Sequence, residues 1–159
     1  MRHPIVRGIV AGAAGTTALN AVTYLDMALR ARASSTTPED TVRKVEALTH
    51  TSLSARGPDS DAARNRRAGL GALVGITTGV ALGALYGVVR SRLPRPPAPL
   101  LGVGAGLAAT ASTAAPMAAL GVTDPRTWSA TSWLSDLVPH LAYGLVTALV
   151  FDSTRDRTR

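Results

Sequence analysis

The sequence has 159 residues, enough for one ordinary domain or for three to five membrane-spanning helices with their loops. Hydrophobic residues make up 46% of it but aromatic ones only 4%, so the apolar content is mostly Ala, Val and Leu rather than the bulky side chains of a water-soluble core. The net charge of +7 is carried by arginines grouped at the edges of long uncharged runs, where the flanks of a spanning helix belong, which argues against nucleic-acid binding; the absence of cysteine excludes disulfides, thiolate metal sites and thiol nucleophiles.

The first uncharged run, Gly8 to Leu25, predicts a span over about 5–28 that takes in Arg7 and Asp26 near its ends, where long charged side chains reach the interface. A signal peptide is the competing reading, since Arg2 and Arg7 precede the apolar stretch. Thr16, Thr17, Asn20 and Thr23 dilute its core, however, and no small-x-small cleavage site ends it. A polar loop follows over 30–67. Within it Thr37 is expected to cap a short helix with Pro38 at its first position, Glu39 and Asp40 complementing the dipole, and Val42, Val45 and Leu48 on one side. That amphipathic helix either packs on the helix ends or lies on the membrane surface. Asp59 or Ser60 is the expected cap of the second span, 68–90.

The second span carries glycine at every fourth position: Gly71, Gly75, Gly79, Gly83 and Gly87. In water a glycine inside a helix costs about 1 kcal/mol relative to alanine. In lipid the backbone hydrogen bonds have no water to escape to, and a ridge without side chains lets a neighbouring backbone approach closely. The pattern resembles a glycine zipper. The proline-stiffened connection "RLPRPPAPL" then leads to a third span, 98–122, expected to return antiparallel and to offer the ridge a partner row of Gly102, Gly106, Thr110, Ala114 and Ala118. "GIVAGAAGT" from Gly8 and "GVGAGLAAT" from Gly102 share residues at equivalent places, which points to duplicated hairpins pairing helices one and two with three and four.

The loop before the fourth span, 132–152, offers Trp128 and Trp133 as interface anchors. On that span Asp136, His140, Tyr143 and Thr147 share a helix face at spacings of four, three and four, a candidate proton relay or cation site. In this topology Asn20 and Asp26 approach the same membrane face. The bland readings are a capping acid, a histidine bonded to its neighbour and an interfacial Asp26–Arg30 ion pair. One His and two acids without Cys make a poor metal set, and no phosphate loop, GxSxG elbow or HExxH is present. Neither metal nor cofactor is expected.

"DLVPHLAYGLVTALVFD" with "GIVAGAAGTTALNAVTYLDMALR" resembles small integral membrane proteins of actinobacteria that have four helices and no assigned activity. The resemblance implies a membrane location and transfers no site residue. The expectation is therefore a single all-α membrane domain, 1–159: a polytopic four-helix bundle in the plasma membrane with a short amphipathic helix in its first loop. Arginines in the short second loop favour both termini in the cytoplasm. The expected role is non-enzymatic, as a subunit or as an assembly partner for a second copy or another membrane protein. A small transporter or channel for protons, cations or a small solute is the alternative, and an enzyme acting on lipid has no positive support.

Overall fold

The computed structural model describes residues 3–93 and 96–156. Arg2, Pro94, Arg95, Arg157 and Arg159, which the sequence places at the flanks of spans, lie outside the described residues.

Five α-helices follow in order: α1 (Pro4–Arg30), α2 (Thr37–Thr49), α3 (Asp61–Arg92), α4 (Ala98–Ala119) and α5 (Ala130–Asp156), with a 3-10 turn at Pro125–Thr127 before the last. All but α2 are long and apolar enough to cross a bilayer. Their exposed side chains fit lipid rather than water: Ile9, Leu73, Val74, Ile76, Leu107 and Leu149 all face outward, far more apolar surface than a soluble domain of this size bares.

Local chemistry sets the helix ends. Pro4 and Pro38 occupy first-turn positions, and the Ser60 hydroxyl accepts from the Ala63 N–H at 3.3 Å. Residue Thr37 does not cap α2. The cap is Thr36, whose hydroxyl bonds the Asp40 carboxylate at 3.0 Å while Ser35 Oγ accepts from the Thr37 N–H, so the helix starts one residue earlier than the Thr-Pro pair suggests. Helix α4 ends at Ala119, not 122. Gly121 turns left-handed at φ 69°, and the N–H groups of Gly121 and Val122 return to the carbonyls of Ala118 and Met117, a Schellman closure.

Helix α1 packs against α3 on one side and α5 on the other, and α4 packs on the far side of α5. The order across the molecule is α3, α1, α5, α4. The expected pairing of the α3 ridge with α4 is therefore wrong. Gly79, Gly83 and Gly87 press against Thr16, Gly12, Gly8 and Pro4 of α1, whereas Gly102 and Gly106 press against α5 around Gly144. The glycine on α5 is what diverts α4, because it supplies a second side-chain-free surface for the α4 row.

The two contacts match position by position. A methyl group on Gly12 would lie 2.8 Å from the Gly79 carbonyl oxygen, and one on Gly106 would lie 2.7 Å from that of His140; Gly8 meets Gly83 and Ala84 as Gly102 meets Gly144 and Leu145. Gly83 meets Gly8 and Gly12, and Gly144 meets Gly102 and Gly106 in the same way. The α1/α3 and α4/α5 pairs are thus equivalent units, in agreement with the similarity of the Gly8 and Gly102 segments.

Helix α2 is strapped to the start of α3. Pro38 lies against Gly71, and the Glu46 carboxylate pairs with the buried Arg67 guanidinium at 2.5 Å while accepting from the Leu53 N–H at 2.8 Å. The Arg67 hydrogen bond first, and the Leu53 N–H second, hold the Glu46 carboxyl below its ordinary 4.5. A group depressed in the folded state stabilises above its unfolded value and loses that stabilisation as pH falls through the folded one. Hydrogen exchange of the α2 amides should therefore be slow and pH-independent in its protection near neutrality and lose protection as pH falls below about 4.5. In Glu46→Gln the acid-dependent loss should vanish.

Candidate functional site

On α5, Asp136 and His140 are one turn apart. The imidazole Nδ1 lies 2.7 Å from the Asp136 backbone carbonyl and 3.7 Å from its Oδ1, so the ring is held against its own helix. Asp136 Oδ2 is buried and has no hydrogen-bond partner among the described residues. A carboxyl oxygen in that state, on a helix long enough to span, is where a proton or cation would be taken up.

Tyr143 does not extend this pair into a relay. Its ring is buried, and its hydroxyl donates to the Gly79 carbonyl at 2.7 Å, reaching past α1 to α3. It locks three helices at one level, beneath Gly15, whose missing side chain makes room for Tyr143 and Thr147. Thr147 is itself fully buried.

The α1 residues approach but do not join. Asp26 is neutralised by Arg30 and Arg32, each with Nε 2.6 Å from a carboxylate oxygen. Arg30 also donates to the Ser135 hydroxyl, the neighbour of Asp136. Asn20 is half-buried on α1, and no hydrogen bond links it to Asp136 or His140 among the described residues. Trp128 and Trp133 pack together with ring centroids 4.9 Å apart and planes tilted by 60°, and the Trp128 indole donates to Thr123 at 2.8 Å, closing this end of the molecule.

At the opposite end lies a polar knot that spacing along the chain did not reveal. Arg90 at the end of α3 makes a two-pronged contact with Asp152 of α5, Nη2 to Oδ2 at 2.8 Å and Nε to Oδ1 at 3.1 Å, and donates to the Leu93 carbonyl at 2.9 Å. Arg7 of α1 donates to the Phe151 carbonyl at 2.6 Å and to Thr154 at 3.3 Å, with its guanidinium 4.3 Å from the Phe151 ring centroid. Tyr86 meets the same ring edge-on at 5.7 Å. The start of α1 and the ends of α3 and α5 therefore meet on one side, and both polar loops lie on the other. Periodicity cannot show such a knot, because its members come from three helices.

Of the predicted ridge, Gly71, Gly79, Gly83 and Gly87 all have a close neighbour, and Gly75 faces open space. Among the described residues no three His, Asp or Glu side chains gather where they could hold a metal ion. The model of a family of unknown function, DUF6789, matches residues 2–159. No curated protein and no solved structure matches the chain.

Proposed function

We propose that this chain, which belongs to the DUF6789 family of unknown function, is a multi-pass plasma-membrane protein with both termini in the cytoplasm that acts without catalysis, as a subunit or assembly partner. The carrying observation is the free face of α4. With Gly102 and Gly106 used on α5, the exposed side of α4 still presents Gly104, Ala108 and Ser112 at intervals of four, with Ala111 and Ala115 beside them. Small residues at that spacing allow close approach of another helix in lipid, where dispersion and weak Cα–H contacts replace the hydrophobic effect as the driving force. The partner is a second copy or another membrane protein. Ala108→Leu should abolish co-purification of the partner from native membranes while leaving the thermal unfolding of the chain unchanged. Undiminished co-purification would refute the reading.

The unpartnered Asp136 Oδ2 favours a second reading, a small proton or cation transporter in which the Asp136–His140 pair takes up the ion. Liposomes containing the protein should then pass protons or cations, and His140→Ala should stop the flux. Absence of flux in the wild type ends this alternative.

A further inference from the structure

The loop helix α2 has two features that its packing on α3 does not use. Its apolar side chains Val45 and Leu48 remain 45% and 60% exposed, although Pro38 and Glu46 on the adjoining side meet Gly71 and Arg67 of α3 and Val42 between them is half-buried. Its surroundings are also basic: residues 30–67 hold eight basic and five acidic side chains, and Arg43, Lys44, Arg64 and Arg66 are all exposed.

The depth of α2 follows from what it touches. On α3 the last charge before the apolar run is Arg67, and residues 68–89 are uncharged, so the lipid boundary falls at Arg67. Glu46 is tied to Arg67 itself, and Pro38 lies on Gly71, one turn or about 6 Å further into the span. Helix α2 therefore crosses the boundary zone obliquely, and cannot stand off in water while those two contacts hold.

We infer that α2 is an interfacial helix, lying in the headgroup layer of the bilayer its neighbours span, with Val45 and Leu48 in lipid and Arg43, Lys44, Arg64 and Arg66 facing anionic phospholipid headgroups. Apolar side chains beside a row of cations, held at the depth where acyl chains give way to phosphates, match that layer on both counts. Arg43 and Arg64 keep intrahelical partners in Asp40 and Asp61, and Arg66 bonds the Leu53 carbonyl. Each guanidinium has further donors for phosphate oxygens. The inference rests on the four spans crossing a bilayer and is independent of the assembly reading.

The natural absence of cysteine makes the test direct. Leu48→Cys, Arg43→Cys and Ile76→Cys are made singly in the full chain, spin-labelled and reconstituted in phosphatidylcholine vesicles with or without phosphatidylglycerol. Residue 43 lies about 140° round the helix from 48, on its polar side. Accessibility to oxygen and to a water-soluble nickel chelate is then measured for each. Position 76 should report the bilayer interior. Position 48 should favour oxygen over nickel severalfold more than position 43, and this preference should rise with phosphatidylglycerol and fall back in high salt. Equal, water-like accessibility at 48 and 43 with 76 in lipid would overturn the inference alone. A label at 48 shielded from both reagents would overturn it in favour of a protein contact, and immersion indifferent to phosphatidylglycerol would overturn the headgroup recognition. Water-like accessibility at 76 would remove the inference together with the spans.

Discussion

Gly83→Ala should cost about 1–3 kcal/mol of stability, the usual range for forcing extra methylenes into a packed contact, or more because the obstacle is backbone. The new methyl group would lie within clashing distance of the Gly12 Cα and the Gly8 carbonyl, and neither can rotate away as a side chain could. The strain can be relieved only by separating α1 from α3, which also pulls Gly79 from its hydrogen bond with Tyr143. Gly144→Ala should behave alike, because its methyl would meet Gly102 and Gly106 in the equivalent way. Gly75→Ala belongs to the same sequence pattern but meets nothing within 4 Å, and should change stability by less than about 1 kcal/mol. Unfolding curves in mixed micelles with increasing dodecyl sulfate, compared across the three variants, check this. Equal effects at 75 and 83 would contradict the packing.

The second large effect is expected at the opposite side of the molecule. Asp152→Ala should cost about 3 kcal/mol, the lower end of the range for breaking a buried pair, since Arg90 is 6% exposed and would keep its charge without its carboxylate. The lower end applies because Asp152 itself retains partial contact with its surroundings, its side chain being 26% exposed. The Arg90→Met, Asp152→Leu double variant removes both charges and should recover most of the loss. The same unfolding assay serves. A double variant as unstable as Asp152→Ala would mean that the pair does more than neutralise itself.

These two sites also show what could be read along the chain and what could not. The four spans were legible because the length of an uncharged run and the position of flanking arginines are one-dimensional properties. The structure extends the last of them to Ala130–Asp156 and begins the α3 helix seven residues earlier, outside the apolar run. Helix pairing was not legible. A glycine row demands a close neighbour without naming it, and α1 and α4 both carry rows of the right spacing. The deciding feature is Gly144, a single glycine on α5 whose only signal is the small residue Ala148 four places on.

Asp136 and His140 were found because they are one turn apart, a local relation. Tyr143 shared their face, but its hydroxyl goes to a backbone carbonyl, and carbonyls leave no trace in sequence. Arg90 belongs to the arginines at the edges of apolar runs, and Asp152 directly follows the last such run, so along the chain neither points to the other. Only the tertiary arrangement brings together two residues 62 positions apart.

The central place of α1 between α3 and α5 has a consequence for biogenesis. Of the two helices that flank α1, α3 follows it in the chain and α5 is the last of the described helices, so until α5 is made Gly15 lacks the helix that fills the space beside it. A nascent chain stalled before α5 therefore bares to its surroundings an open notch at Gly15, the space that Tyr143 and Thr147 occupy in the finished fold.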